Sequence, residues 1–259
     1  MQVRDKYEVR SPASQNIVDM FEGEWTSLLP RDAGIDVDAG KMPLFEDPRV
    51  AWAQRQLGGF DGCSVLELGP LEGGHTYMAH QGGAREIVAI EANRHAFLRC
   101  LCVKELYQLD RARFLLGDFV QYLESTTRTF DVTIASGVLY HMINPVRALE
   151  LMARSANKLY LWTHYYDAAL IGRNAAIASR FGKLERSEHE GRVCETAAYE
   201  YREAMTWAGF TGGTQPSCRW MSRDTIVGSL RAAGFAEIAF NFEEPEHPHG
   251  PAFALCAQR

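Results

Sequence analysis

Three segments of the sequence carry histidines where predicted strands end. Tyr140 and His141 follow one such strand, His164 follows the next, and His247 and His249 lie in a turn near the end of the chain. A histidine can take the proton of an attacking hydroxyl group near neutral pH, and a tyrosine can orient the attacking molecule by a hydrogen bond. The sequence therefore offers Tyr140, His141 and His164 as candidate catalytic residues for a group transfer.

A glycine-rich turn follows an apolar run that ends in an acidic residue. Within residues 65–76 the run closes around Glu67, and Gly69 and Gly73 follow at once. Glycines let the backbone turn tightly beside a ligand, and open α/β sheets bind nucleotides at the carboxyl ends of their strands. A phosphate-binding loop would carry a lysine instead of an acid. The turn therefore favours a nucleoside with positive charge, and S-adenosylmethionine fits that description.

Strand and helix patterns alternate along the following part of the chain. Residues 86–93, 114–119 and 130–137 each predict a strand that leads into a turn, and Glu91 closes the first of them. The segment after Glu91 predicts a helix with apolar residues at helical spacing, namely Leu98, Leu101, Cys102, Leu106 and Leu109. This alternation predicts an α/β fold with a doubly wound, mostly parallel sheet.

With these motifs in order, roughly residues 60–164 resemble the class I S-adenosylmethionine-dependent methyltransferases. The matching motifs are Glu67-x-Gly69-x-x-x-Gly73, Glu91, Gly117-Asp118-Phe119 and Phe130-Asp131. The resemblance implies a seven-stranded sheet with helices on both faces and S-adenosyl-L-methionine as the cofactor. It implies the following cofactor-binding residues: Glu67, Gly69, Pro70, Gly73, His75, Glu91, Ala92, Asn93, Asp118, Phe119, Ser136 and Gly137.

The resemblance also implies a role for each acidic residue at the sheet edge. Glu67 and the turn backbone would hold the methionine end of the cofactor, and Glu91 would accept from the ribose hydroxyls. Asp118 would accept from the adenine amino group, and Phe119 would cover the ring. The alternatives are a helix cap for Asp118 and plain core packing for Phe119. Leu71 departs from the family, which often has a glycine there, and this makes the turn stiffer.

The loop around Tyr140 and His141 resembles loops of two kinds of enzyme. Gly137-Val138-Leu139-Tyr140-His141 with Pro145 is similar to a segment of the enzymes that carboxymethylate wobble uridine in tRNA, and related loops occur in small-molecule O-methyltransferases. In many relatives this tyrosine or histidine shapes the cofactor pocket and is not a base.

A metal site is the other use that histidines near a sheet edge could have. The candidate ligands are His141, His164, His247, His249 and Glu246, and no two of them stand at helical i, i+4 spacing. No acid-rich cluster follows the fourth strand either, so the sequence predicts no metal site.

Composition and charge indicate which kinds of molecule the protein binds. The net charge is −6 and the basic residues are dispersed, whereas proteins that bind nucleic acids usually carry a basic stripe. The six cysteines form no CxxC pair, no apolar run is long enough to cross a bilayer, and Met1–Lys6 lacks the apolar core of a signal peptide. We expect a cytoplasmic enzyme with a small-molecule methyl acceptor, no membrane association and no nucleic-acid partner; a homodimer is left open.

The resemblance leaves two additions to the core unexplained. Residues 1–60 predict an N-terminal helical extension, with a helix that begins at Asp47-Pro48; it covers either the cofactor cleft or the back of the sheet. Residues 61–164 form the cofactor-binding core. Residues 165–220 predict a helical insertion after strand five that acts as a substrate lid, and residues 221–259 supply the last helix and strands.

Taken as a whole, the sequence predicts an S-adenosylmethionine-dependent methyltransferase. The expected reaction is O-methylation of a small molecule, a specialised metabolite, by in-line displacement at the sulfonium methyl. Two alternatives stay open: modification of an RNA nucleoside of the tRNA wobble-uridine type, and a scaffold that binds the cofactor without catalysis.

Overall fold

The structure, a computed structural model, describes residues 7–31, 34–35 and 39–259, so the prediction for Met1–Lys6 lies outside it. The strands of the described part are β1 (Ser64–Leu68), β2 (Glu86–Glu91), β3 (Ala112–Leu116), β4 (Phe130–Ser136), β5 (Ala156–His164), β6 (Phe181–His189), β7 (Arg192–Glu200), β8 (Ser217–Met221), β9 (Glu237–Glu244) and β10 (Ala252–Gln258). Its helices are α1 (Ser14–Asp19), α2 (Pro48–Gln56), α3 (Gly74–Gln81), α4 (Arg94–Leu106), α5 (Phe119–Ser125), α6 (Pro145–Ser155), α7 (Ala168–Ile171), α8 (Ala175–Ala178) and α9 (Arg223–Ala232).

The central sheet has seven strands in the order β3-β2-β1-β4-β5-β10-β9. Strand β10 is antiparallel to both of its neighbours, and the other pairs are parallel. Because β5 and β9 are both antiparallel to β10, they run in the same direction. The turn after β9 therefore opens at the same sheet edge as the loops after β1, β2, β4 and β5. The predicted α/β fold with a mostly parallel seven-stranded sheet is confirmed.

Helices cover both faces of this sheet, because successive side chains of a buried strand point to opposite sides. Leu66 and Leu68 of β1 belong to a core that includes residues of α5, α6 and α9. Val65 belongs to the opposite core, which includes residues of α2, α3 and α4. The two cores hold the strand ends rigid, so the loops at the carboxyl edge start from fixed positions.

The insertion after β5 is built mainly from strands. β6, β7 and β8 form an antiparallel sheet of their own, and helices α7 and α8 have four residues each. Glu190 and Gly191 join β6 to β7 with φ angles of 49° and 73°. Positive φ at both positions of a two-residue turn matches the twist of a β-hairpin. The prediction of a helical insertion was wrong, because strand pairing outweighs the helix propensity of its Ala, Glu and Arg residues.

The extension before β1 contains helices α1 and α2, as the sequence predicts. The carboxylate of Asp47 accepts a hydrogen bond of 2.9 Å from the backbone N–H of Arg49 and so caps α2. Val50 and Ala53 are buried, and α2 contacts β9 and β10. Helix α2 therefore covers one face of the sheet beside its antiparallel strand.

Helix α4 buries only part of the face that the sequence indicates. Leu98 and Leu101 are 47% and 41% exposed, whereas Cys102 and Leu106 pack against the core and Leu109 is buried just beyond the end of the helix. The charged residue Arg99 is also buried on this helix, where an ion pair described below compensates its charge. In the part of the chain that the structure describes, no helix combines the length and the apolar character needed to cross a membrane.

Candidate active site

The glycine turn joins β1 to α3 at the carboxyl edge of the sheet. Gly69 has a φ angle of 66°, and a Cβ atom there would lie 2.5 Å from Cγ1 of Val138. At Gly74 a Cβ atom would lie 2.7 Å from the carbonyl oxygen of Leu44. Glycine is required at both positions because the loop after β4 and the N-terminal extension pass directly against the turn.

Leu71 and Glu91 connect the glycine turn to the end of β2. Leu71, which stands where the family often has glycine, has a φ angle of 57°. Its backbone N–H donates to Oε2 of Glu91 at 3.0 Å, and the N–H of Asn93 donates to Oε1 at 2.8 Å. Burial raises the pKa of Glu91, against the effect of these N–H groups. Each carboxylate oxygen keeps further accepting capacity, as a ribose diol requires.

Glu67 points away from the surface of the turn and into the protein. It is buried, and the hydroxyl of Thr76 on α3 donates to its Oε2 atom. Burial raises the pKa of this carboxyl group, although the nearby His75 acts in the opposite direction. Glu67 therefore supports the turn through its bond to α3 and does not line the cavity at the sheet edge.

Asp118 and Asn93 cap helices. Asp118 accepts from the N–H of Val120 at 2.8 Å at the start of α5, and Asn93 accepts from the N–H groups of His95 and Ala96 at the start of α4. For Asp118 this is the alternative that the sequence left open. Each side chain still stands at the sheet edge where the family resemblance requires it, so their contacts with the cofactor remain predictions.

A cavity of about 390 Å³ opens along this edge. The predicted cofactor-binding residues that line it are Gly69, Pro70, His75, Glu91, Ala92, Phe119, Ser136 and Gly137, whereas Glu67, Gly73, Asn93 and Asp118 do not. The N-terminal extension adds Thr26, Met42, Leu44 and Arg49, and the insertion adds Thr211, Gly212 and Gly213. Both additions to the core therefore form walls of this cavity.

Tyr140, His141 and His164 lie side by side where β4 and β5 end. The ring centroid of Tyr140 is 4.2 Å from that of His141 and 4.6 Å from that of His164. Tyr140 and His141 line the cavity, whereas His164 does not and is stacked on Trp220 of the insertion, with ring centroids 5.0 Å apart. The structure therefore brings the three candidate catalytic residues together.

Burial keeps this group uncharged at neutral pH. It lowers the pKa of His141 to about 4. For His164 burial, together with the neighbouring His247, lowers the pKa to about 3. Burial also raises the pKa of the Tyr140 phenol, which keeps its proton. These three side chains therefore offer neutral hydrogen-bonding groups.

Arg49, which the sequence reading missed, brings a positive charge to the cavity wall. Its Nε and Nη2 atoms lie 2.9 Å and 2.7 Å from the carboxylate of Asp47, and its guanidinium group lies 4.7 Å from the ring centroid of Trp162. Burial opposes the charge on Asp47, but bonds from His75 and Arg49 hold the pKa of that carboxyl below its usual range. The sequence predicts Asp47 only as a helix cap, and no local signal in the sequence reveals that Arg49 and His75 both contact its carboxylate.

Glu72 ties the N-terminal extension to the glycine turn. Its two carboxylate oxygens accept from the N–H groups of Thr26 and Ser27 at 2.9 Å and 2.8 Å. Oε1 also lies 3.1 Å from Nε of Arg99 on α4. Because Glu72 is fully buried, the extension between α1 and α2 is fixed beside the cavity by charge-assisted hydrogen bonds.

His247 lines a neighbouring cavity, and its ring centroid is 5.0 Å from that of His164. Within the described ranges, the residues that cluster with metal-ligand spacing are Glu150, His189 and Glu190, and none of these lines either cavity. Arg192 lies 3.6 Å from Glu150, so the cluster is an ion-pair network.

Comparison with known proteins adds a family and several relatives. Residues 60–207, more than half of the chain, match the family described as "Methyltransferase domain". Ribosomal RNA small subunit methyltransferase A of Chelativorans sp. (strain BNC1) is 28% identical over 144 residues, which cover 54% of this chain and 49% of that protein. The chain spans about half the length of the curated relatives it matches.

Solved structures of low sequence identity share the fold. The N-terminal domain of EvdMO1, crystallised in the presence of S-adenosylhomocysteine (SAH) and D-fucose, has a TM-score of 0.66 at 21% identity and covers 100% of this chain and 97% of that one. The 1,6-didemethyltoxoflavin-N1-methyltransferase of Burkholderia thailandensis has a TM-score of 0.52 at 15% identity and covers 84% and 78%.

Proposed function

The chain belongs to the methyltransferase family and is a class I S-adenosylmethionine-dependent enzyme, and from this premise we propose that it methylates an oxygen atom of a small molecule. The observation that carries the proposal is the grouping of Tyr140 and His141 on the wall of a cavity that the extension and the insertion both enclose. The volume of about 390 Å³ is that of the whole cavity, in which the cofactor end and the acceptor end are continuous.

The residues at the sheet edge fit the cofactor. Glu91 has accepting capacity left for the ribose hydroxyls, the glycine turn leaves its backbone open to the methionine end, and Phe119 lines the cavity where the adenine ring would lie. Glu67 supports the turn through Thr76 and acts on the cofactor through the turn backbone. These assignments are proposals that follow the family pattern.

The protein's part in the mechanism is to position the acceptor and exclude water. S-adenosylmethionine supplies an electrophilic methyl group when bound. The cavity wall holds the acceptor oxygen in line with that group, and Tyr140 and His141 fix its orientation by hydrogen bonds. Since burial keeps both side chains neutral, they offer hydrogen bonds to the acceptor without placing a charge of their own beside it. The insertion closes the acceptor end and serves as the proposed substrate lid.

The solved relatives support a small acceptor but differ in the atom that is methylated. The neighbour with D-fucose in its crystal suggests a hydroxyl group, whereas the toxoflavin enzyme is an N1-methyltransferase by its description. Oxygen is favoured here because the described residues that line the cavity include neutral hydrogen-bonding groups at its acceptor end. An amine that is already deprotonated in solution would need fewer of them.

A second candidate, methylation of RNA, is favoured by one specific observation. The curated relatives in the comparison are ribosomal RNA methyltransferases. The net charge of −6 argues against a large phosphate-binding surface. Ribosomal RNA and tRNA therefore belong in the acceptor screen beside small molecules.

Calorimetry tests the cofactor site first. S-adenosylmethionine and S-adenosylhomocysteine are titrated into the wild-type protein and Glu91→Ala, and we expect micromolar binding that is lost in the variant. A screen with labelled cofactor, followed by mass spectrometry of the product, then identifies the methylated atom. Methyl transfer to nitrogen alone, or to RNA alone, would refute the proposed O-methylation of a small molecule.

A further inference from the structure

His141 is hydrogen bonded to a residue of the insertion. Its Nδ1 atom lies 2.7 Å from the hydroxyl oxygen of Tyr201, which directly follows β7 and is buried in a cluster with Cys218 and Trp220. A bond between a phenol and a neutral imidazole contains one proton, which either partner can donate. The donor decides which ring nitrogen of His141 is protonated, and therefore what His141 can do in the cavity.

Tyr201 is the partner with a proton to donate. Burial raises the pKa of its phenol, so the hydroxyl remains protonated at neutral pH. Among the residues that the structure describes, Nδ1 of His141 is the acceptor that meets hydrogen-bond geometry; the nearby sulfur of Cys218 is a weak acceptor. A buried hydroxyl proton without an acceptor costs about 1–3 kcal/mol. Donation from Tyr201 to Nδ1 avoids this cost.

We infer that Tyr201 holds His141 with its proton on Nε2, as a hydrogen-bond donor into the cavity, and that the cavity selects a small molecule with an acidic oxygen, a phenol or an enol. The inferred acceptor class makes the proposed O-methylation more specific and rests on it. The position of the proton on His141 does not depend on the proposed function. Nε2 of His141 makes no hydrogen bond with any described residue, and the side chain lines the cavity. Tyr201 acts through His141 and is a positioning residue.

His164 has the opposite arrangement. Its Nδ1 atom lies 2.8 Å from the carbonyl oxygen of Gly250, and a carbonyl oxygen can only accept. Since burial keeps the ring neutral, Nδ1 carries its proton and Nε2 does not. The two histidines on either side of Tyr140 therefore carry their protons on different nitrogens. A carbonyl fixes one of them, and a phenol fixes the other.

A further donor shares the cavity wall with His141. The hydroxyl of Tyr140 lines the same cavity and makes no hydrogen bond with the described residues. Glu91 is the one carboxylate among the described residues of the cavity wall, at the end assigned to the ribose. The acceptor therefore meets N–H and O–H groups, and these suit an oxygen that accepts hydrogen bonds.

Donors stabilise an ionised oxygen more than a neutral one, and so they lower the pKa of an acidic hydroxyl group. The proton of a phenol or enol leaves to water before transfer. The oxygen then forms a bond to the methyl carbon as the carbon–sulfur bond breaks, and the electron pair of that bond stays on sulfur. No protein group takes up a proton in this sequence, so a histidine that cannot act as a base is sufficient.

NMR tests the position of the proton without any acceptor. In protein labelled with ¹⁵N at histidine, with His141→Gln used for assignment, we expect a protonated Nε2 and an unprotonated Nδ1 at His141. Tyr201→Phe removes the donor, and both tautomers should then appear. Tyr199→Phe is the matched control, because it removes a hydroxyl from the same aromatic cluster and leaves His141 bonded. A wild-type His141 with its proton on Nδ1 would overturn the inference.

A pair of variants separates a donor from a base. His141→Gln keeps an N–H group close to the position of Nε2, whereas His141→Leu has none. We expect kcat/KM of the glutamine variant to stay within about tenfold of wild type, as for the loss of part of one hydrogen bond, and that of the leucine variant to fall further. Equal losses of about 10²- to 10⁴-fold in both variants would indicate a general base and contradict the donor role.

A panel of simple acceptors tests the substrate class. S-adenosylmethionine is combined with phenol, 4-nitrophenol, 1,3-cyclohexanedione and D-fucose, and methylated products are measured by mass spectrometry. We expect transfer to the ionisable compounds and none to the sugar. Transfer to D-fucose alone, or to no compound of the panel, overturns the acidic-oxygen class. Methylation of D-fucose would leave O-methylation intact, and the NMR result is independent of both.

Discussion

Glu72 and Arg99 form a buried ion pair under the glycine turn, with Oε1 and Nε 3.1 Å apart. The pair also determines how the N-terminal extension is attached, because the same carboxylate accepts from Thr26 and Ser27. A buried charge of this kind is stable only while its partners remain in place. Glu72 is therefore the residue whose loss should separate the extension from the core.

Replacing Glu72 should destabilise the protein strongly. In Glu72→Gln the N–H groups of Thr26 and Ser27 lose a charged acceptor, and the buried Arg99 keeps only the half-exposed Glu24 as a counterion, so we expect the free energy of unfolding to fall by about 3–5 kcal/mol. Urea denaturation followed by tryptophan fluorescence measures this. The matched control is Glu24→Gln, which removes the half-exposed second partner of Arg99. Equal effects of the two substitutions would contradict the role given to Glu72.

Glycine should be tolerated at position 71. The φ angle of 57° at Leu71 is a conformation that costs a non-glycine residue about 1–2 kcal/mol. Leu71→Gly removes this strain and keeps the N–H that donates to Glu91, so we expect unchanged cofactor affinity and a change in stability within about 1 kcal/mol. Leu71→Val adds a branch at Cβ and should be destabilised. A glycine variant that loses cofactor binding in calorimetry would contradict this account of the turn.

Arg49 is expected to hold the carboxylate of the cofactor through Nη1. Arg49→Gln should weaken the binding of S-adenosylhomocysteine by about 10- to 150-fold, as for the loss of a hydrogen bond to a charged group. Methylthioadenosine lacks the amino-acid end, and its affinity for the variant should match that for wild type. Calorimetry with both ligands measures the difference. If both weaken equally, Arg49 acts through the shape of the cavity; if neither weakens, it faces the acceptor instead.

The stability of the protein should depend on pH through His164. Burial lowers its folded pKa to about 3, below the ordinary value of an unfolded histidine. The unfolded chain therefore binds the extra proton first, and stability that is complete above the ordinary pKa is lost as the pH falls toward the folded one. His164 should contribute a slope of up to about 1.4 kcal/mol per pH unit in this window. His141 contributes in the same direction.

His164→Asn should remove the His164 part of this slope while keeping an N–H donor close to the position of Nδ1 for Gly250. Urea denaturation at several pH values between 7 and 5 measures the slope for wild type and variant. His249→Asn is the control, because His249 is exposed on the same side of the protein. Identical slopes for wild type and the position 164 variant would show that His164 is not buried as a neutral ring.

The sequence predicts those site residues whose position follows from local signals. Glu91 could be placed because it closes a β-branched run, and parallel strands bring their carboxyl ends to one edge. The helix cap at Asp47 could be predicted because an acid before proline starts a helix. Asp118 shows the limit of such signals: one residue type serves as a helix cap and as a ligand for adenine, and spacing does not distinguish these roles.

The features that the sequence does not reveal depend on contacts between distant segments. Arg49 and Glu72 look like ordinary charged surface residues until the extension is folded over the turn. The secondary structure of the insertion is predicted wrongly because its composition favours helix. The signal for strands is the two-residue turn at Glu190 and Gly191, which joins the strands of a β-hairpin. On α4 the apolar spacing does not reveal that Leu98 and Leu101 face solvent while the charged residue Arg99 is buried in an ion pair.

The bond between Tyr201 and His141 joins residues 60 positions apart, one in the insertion and one in the core. The insertion therefore influences which nitrogen of His141 is protonated as well as the shape of the cavity. In a chimaera whose residues 165–220 came from another methyltransferase, the cofactor affinity would stay the same, but the hydrogen bond that fixes the tautomer of His141 would change. Acceptor preference in such enzymes could then change through exchange of one segment, without any substitution at the sheet edge.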